Sequence, residues 1–117
     1  ERLLAEAPGE HVDLASRVRA LLISYGSGLS LEDVAERLRI SARSLNRQLA
    51  QLNTSFRKMV EEVRREQATR LLGNSSMKVS EIAEQLGYTD TSNFVRAFRK
   101  WMGITPLNYR KLTKHVS

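Results

Sequence analysis

Residues 82–86 read Ile-Ala-Glu-Gln-Leu, and residues 34–38 read Val-Ala-Glu-Arg-Leu, the same pattern at an offset of 48. Past a short turn, Leu45, Arg47 and Leu49 fall over Phe94, Arg96 and Phe98 at an offset of 49. In each copy the apolar spacing predicts a helix of about two turns, a tight turn and a second helix. A chain of 117 residues suits one compact unit or two very small ones. A repeated helix–turn–helix pattern favours the second arrangement.

The remaining elements follow from spacing and punctuation. Leu14, Val18, Leu21 and Leu22 recur at helical spacing after Asp13, up to a stop at Gly26-Ser27-Gly28. Ser30 with Asp33 is a start signal for a helix to about Leu38. Ser41 opens the next helix, with Leu45, Leu49 and Leu52 as its inward face and the left-handed tolerance of Asn53 at its end. Thr54 is expected to cap a long helix to Leu72, stopped by Gly73-Asn74, with Phe56, Met59, Val60, Val63, Ala68, Leu71 and Leu72 as its apolar set. The second copy spans about Val79–Leu86 and Asp90–Met102, turning at Gly87, where a glycine suits a left-handed backbone. Gly103 stops it, and Thr105-Pro106 starts the last helix. The expected fold is all-α, with about seven helices in two helix-turn-helix subdomains joined by a long linker helix. The boundaries are 1–12 as a linker remnant, 13–53, 54–72 and 73–117.

Charge narrows the function. Residues 1–40 hold five Arg against seven acids, whereas residues 41–117 hold fourteen Lys and Arg against six acids. Residues 41–60 and 91–117 contain no acid at all, and both stretches begin at matching points of the repeat. Two acid-free basic segments so placed point to surfaces facing a polyanion. Catalysis has little to stand on: cysteine is absent, and the two histidines, His11 and His115, lie near the ends. Glu61, Glu62 and Glu66 read as ordinary helical partners of Arg65 and Arg70. No metal, cofactor or catalytic residue is expected, and no apolar run approaches the ~20 residues of a membrane span. The first residue is Glu, which suggests a domain of a longer protein.

A helix-turn-helix places its second helix in the major groove of DNA. Around the Leu45/Leu49 seam, Arg43, Asn46 and Arg47 are the expected base readers of the first copy. Around Phe94 and Phe98, they are Thr91, Ser92, Asn93, Val95 and Arg96. Arg can hold guanine through two hydrogen bonds, Asn can hold adenine, and Val offers only apolar contact, for instance to a thymine methyl. Expected phosphate contacts are Ser41, Ser44, Thr54, Ser55, Lys78, Arg99, Lys100, Arg110 and Lys111, with Lys114 beside them. The shorter side chains of the second face suggest that the first copy carries most sequence specificity. A helical protein-interaction module is the alternative, although Phe94, Phe98 and Trp101 at i, i+4, i+7 read as core.

Four motifs sharpen the reading. They are S-x-R-x-L-x-R at Ser41–Arg47, A-x-x-L-L at Ala68–Leu72, I-A-x-x-L-G-Y at Ile82–Tyr88 and S-x-F-x-R-x-F at Ser92–Phe98. With the closing G-I-T-P-L-N-Y-R at 103–110, residues 13–112 resemble the DNA-binding domain of AraC/XylS-type bacterial transcription regulators. The resemblance implies sequence-specific binding of double-stranded DNA by one monomeric domain, with two recognition helices (about 41–52 and 90–102) in successive major-groove segments. It further implies a cytoplasmic, nucleoid-associated setting, and contact with RNA polymerase in a longer protein. A linker of about 19 residues would be ~28 Å long, against ~34 Å per turn of DNA. Three residues depart from the family pattern: Arg39 where Gly is frequent, Lys78 where Ser30 caps the first copy, and Arg65 where Leu is common.

Overall fold

The computed structural model describes residues 13–26 and 28–116, with side chains as far as Thr113. The expected linker remnant at 1–12, Ser27, His11 and the side chains of Lys114 and His115 lie outside the described residues. Within them run seven helices and no strand: α1 (Leu14–Tyr25), α2 (Leu31–Leu38), α3 (Ala42–Gln51), α4 (Phe56–Asn74), α5 (Val79–Gln85), α6 (Thr91–Met102) and α7 (Pro106–Val116). The chain divides into two compact units, residues 1–60 and 61–117, with the boundary inside α4.

In the first unit, short polar side chains set the helix starts. The Asp13 carboxylate accepts from the Ser16 N–H at 2.8 Å, and the Ser41 hydroxyl from the Ser44 N–H at 3.0 Å. At Ser30 the box is reciprocal: the Asp33 N–H donates to Ser30 Oγ, and the Ser30 N–H donates to the Asp33 carboxylate. That backbone donor holds the Asp33 carboxyl below its ordinary pKa. Helix α3 packs on both α1 and α2. Val18, Leu22, Val34, Leu45 and Leu49 are fully buried, with Ala35 and Met59 nearly so. Leu52 corrects the expected inward face, since it lies past the end of α3 and is 42% exposed. The Arg37 guanidinium covers the exposed ring of Tyr25 at 4.1 Å.

Arg39 takes the turn in the left-handed region, at φ 61° and ψ 40°. An L-residue with a Cβ is strained there, and Arg39 is exposed, with little packing to offset the strain. Arg39→Gly should therefore stabilise the first unit by about 0.5–1 kcal/mol, the strain relief less the extra freedom of Gly in the unfolded chain. The check is a higher denaturant midpoint at an unchanged slope.

The long helix begins and ends later than its sequence suggests. Ser55, not Thr54, caps α4: its hydroxyl accepts from the Lys58 N–H at 3.1 Å. Helix α4 also runs through Gly73 to Asn74 rather than stopping at Leu72. Ser75 closes it, donating its hydroxyl to the Leu71 carbonyl at 2.7 Å.

In the second unit, Ala68, Leu72, Ile82, Ala83, Leu86, Phe94 and Phe98 form one buried cluster. Phe98 sits among rings, with centroids 5.9 Å from Phe94, 6.3 Å from Trp101 and 5.6 Å from Tyr109. Gly87 has φ 92°, as its place in the turn requires. Beside it, the Arg64 guanidinium lies 4.6 Å from the Tyr88 ring centroid. Burial raises the pKa of the Tyr88 phenol, and Arg64 opposes that rise. An ammonium has no lone pair, so Lys78 offers no side-chain cap to α5; the Glu81 carboxylate supplies only the return half, accepting from the Lys78 N–H at 2.8 Å. Arg65 is exposed, which explains how a charged residue is accommodated there.

Candidate nucleic-acid interface

Helix α3 separates its two faces cleanly. Leu45 and Leu49 are wholly buried, and Arg43, Asn46, Arg47 and Ala50 form an exposed row at i, i+3, i+4, i+7 on the opposite side. The three expected readers of the first copy thus share one solvent-facing surface. Ser44 stands at the flank, half-buried, where its hydroxyl accepts from Gln48 Nε2 at 2.9 Å and from Arg47 Nη2 at 3.4 Å. Ser41 Oγ is the helix cap.

Helix α6 repeats the arrangement with different chemistry. Phe94 and Phe98 are buried, while Ser92, Arg96, Arg99 and Lys100 are exposed on the far side. The five expected readers of this copy do not all share that face. Thr91 and Val95 are half-buried at its flanks, and Arg99, expected at a phosphate, joins the central row as Ser92, Arg96 and Arg99 at i, i+4, i+7. The surface opposite the Phe94/Phe98 seam is centred on position 96; Val95 is half-buried although its counterpart in the first copy, Asn46, is exposed.

Asn93 is half-buried, and its amide is occupied. Nδ2 donates to Thr89 Oγ1 at 3.3 Å and to Asp90 Oδ2 at 3.2 Å, and Oδ1 accepts from Arg96 Nη2. Charge fixes that amide orientation, because the reverse would set its oxygen against a carboxylate and its NH2 against a guanidinium. A two-bond contact with adenine needs a free donor and a free acceptor, and both amide protons are already engaged.

Of the expected phosphate contacts, Ser55, Lys78, Arg99, Lys100 and Lys111 are exposed, and Thr54 is half-buried. Arg110 is the correction. Its guanidinium turns inward onto the end of α4, where Nε donates to the Leu72 carbonyl at 3.0 Å and Nη2 reaches the Leu71 and Ser75 carbonyls at 3.5 and 3.4 Å. The last carbonyls of a helix have no partner of their own, and a cation suits the negative end of its dipole. Arg110→Ala should therefore lower stability by about 1.5–3 kcal/mol, the range for hydrogen bonds to a charged group. Lys111→Ala should leave the thermal midpoint within a degree or two. Melting curves of the two variants separate the roles.

Among the described residues, no group of His, Asp or Glu is placed to hold a metal, and no helix is long and apolar enough to cross a membrane. The surface offered is two polar, basic helix faces, each second in a helix–turn–helix.

A family model described as a helix-turn-helix domain matches residues 34–112. The chain belongs to the AraC-type helix-turn-helix family of transcription regulators. The ornithine utilization regulator of Pseudomonas aeruginosa is 42% identical over 99 residues, covering 84% of this chain and 29% of that protein. A transcriptional regulator of Chromobacterium violaceum, described as AraC-type and DNA-binding, superposes with a TM-score of 0.78 at 27% identity, covering 85% of this chain and 90% of that one. The DNA-binding domain of AdpA, solved with a target DNA, gives a TM-score of 0.77 at 26% identity, covering 88% and 95%. This AraC-type domain spans under a third of the length of the curated regulator it matches.

Proposed function

We propose that this AraC-type domain is the sequence-reading part of a bacterial transcription regulator and binds double-stranded DNA through α3 and α6. The observation that carries this is the pair of exposed polar rows, Arg43/Asn46/Arg47 on α3 and Ser92/Arg96/Arg99 on α6, each opposite a buried seam. Arg43, Asn46, Arg47 and Arg96 read base edges in the major groove, with Thr91, Ser92 and Val95 supplementing them. Ser41, Ser44, Thr54, Ser55, Lys78, Arg99, Lys100 and Lys111 serve phosphates. Residues 13–53 and 73–117 act as the two reading subdomains, and 54–72 as their link. Because one chain carries two reading helices, a single copy engages successive major-groove segments of an asymmetric or direct-repeat operator. Its place in the cell follows from its target, the cytoplasmic nucleoid, and a longer protein containing it engages RNA polymerase.

Selection of bound sequences from random duplex DNA tests this. The expected result is a long, non-palindromic site with two short blocks about one helical turn apart, bound by one chain per duplex in sedimentation. Arg47→Ala should weaken the selected site by about 1–3 kcal/mol and relax one base pair in one block. An equal loss on every sequence would make Arg47 a phosphate clamp. Failure to enrich any sequence would overturn the proposal.

A further inference from the structure

The two units share a device at equivalent positions. An offset of 49 sets Ser41, Ser44 and Arg47 over Asp90, Asn93 and Arg96. In each triplet the first residue caps the helix by accepting from the backbone N–H of the second. The side chain of the second accepts from the guanidinium of the third. Cap, brace and arginine thus climb one face of the helix at i, i+3, i+6.

The two copies differ in tightness. Ser44 Oγ is 3.4 Å from Arg47 Nη2 and is shared with Gln48, which holds it at 2.9 Å. Asn93 is anchored from below by both Asp90 and Thr89, through its two amide protons, and gives its carbonyl to Arg96. A flexible, exposed arginine loses rotamer freedom when it docks on a guanine, and a guanidinium already held in place loses less.

Resting on the DNA-reading role proposed above, we infer that Asn93 is a positioning residue, which aims Arg96 through the Asp90/Thr89–Asn93 relay rather than reading a base itself. The second unit then discriminates one base pair sharply, through a pre-oriented arginine, despite the short side chains around it. The first unit spreads its reading over Arg43, Asn46 and a more loosely held Arg47.

The test is a double-mutant cycle on the whole chain, with the duplex recovered by selection and duplexes changed at each base pair of the second block. Asn93→Ala should weaken the selected duplex about tenfold and erase a similar factor of discrimination at the one base pair that Arg96→Ala also relaxes. In the Arg96→Ala background, Asn93→Ala should change affinity less than about twofold, the mark of a residue acting only through its neighbour. Ser44→Ala, removing the looser brace, should cost less than Asn93→Ala. If Asn93→Ala impairs folding in a melt, Asn93→Ser gives the second unit the hydroxyl acceptor of the first, and the same cycle is run with it. An undiminished cost of Asn93→Ala in the Arg96→Ala background, or relaxation at a different base pair, would overturn the inference by making Asn93 a reader. So would Arg96→Ala leaving discrimination unchanged while the chain still selects a sequence. A chain that selects no sequence would instead defeat the DNA-reading role itself.

Discussion

Raising monovalent salt from about 50 to about 200 mM should weaken the complex of this domain with its selected duplex on the order of 10³-fold. The exposed cations Arg43, Arg47, Lys78, Arg96, Arg99, Lys100 and Lys111 supply the charge. If about six phosphates are neutralised, their condensed counterions are released, and the logarithm of affinity falls against the logarithm of salt with a slope near −5. Removing one phosphate contact, by Lys100→Ala or Lys111→Ala, should reduce that slope by about one. Arg110→Ala should leave it unchanged, because that guanidinium faces carbonyls. A nearly flat salt dependence would mean that few phosphates are neutralised, and the polyanion reading would fall with it.

The largest effect on stability is expected at Phe98. Its side chain is wholly buried and meets three other aromatic rings at centroid distances of 5.6–6.3 Å. Truncating a buried Phe to Ala costs about 3–5 kcal/mol, through lost transfer energy and the cavity left behind. A unit of fewer than 60 residues holds roughly 3–9 kcal/mol at the usual stability per residue. Phe98→Ala should therefore leave much of the second unit unfolded at 37 °C, seen as a large loss of helical circular dichroism. Phe98→Leu, which keeps most of the apolar volume, should retain the helices. A native-like melt for Phe98→Ala would mean that the neighbouring rings close the cavity, and that Phe98 is not the keystone of this core.

Much of the fold was legible in the sequence because the signals are local. Helices bury stripes, so Val18/Leu22, Leu45/Leu49 and Phe94/Phe98 announce themselves at spacing four, and each is buried. Ser30, Ser41 and Asp90 mark helix starts because a short oxygen acceptor reaches the N–H three residues on. Arg43, Asn46 and Arg47 follow as an exposed row once Leu45 and Leu49 are turned inward. The cap–brace–arginine spacing of 90, 93 and 96 is also written in the sequence, but Asn93 has two plausible employers, a base or a neighbouring arginine. Residue type alone does not choose between them.

What the sequence determined by itself is the repeated helical pattern and the chemical character of its two reading faces, since both depend on residue order along one helix. Tertiary structure decided the rest. Leu52 is apolar by type yet lies exposed beyond the end of its helix. Val95 is half-buried where its counterpart in the first copy, Asn46, is exposed. Arg110 is basic by type, like Lys111 beside it, yet its guanidinium caps a helix 38 residues away. Nothing local distinguishes these two cations: what separates them is that one lies within reach of unpaired carbonyls at the end of α4, and only the folded chain brings those carbonyls there.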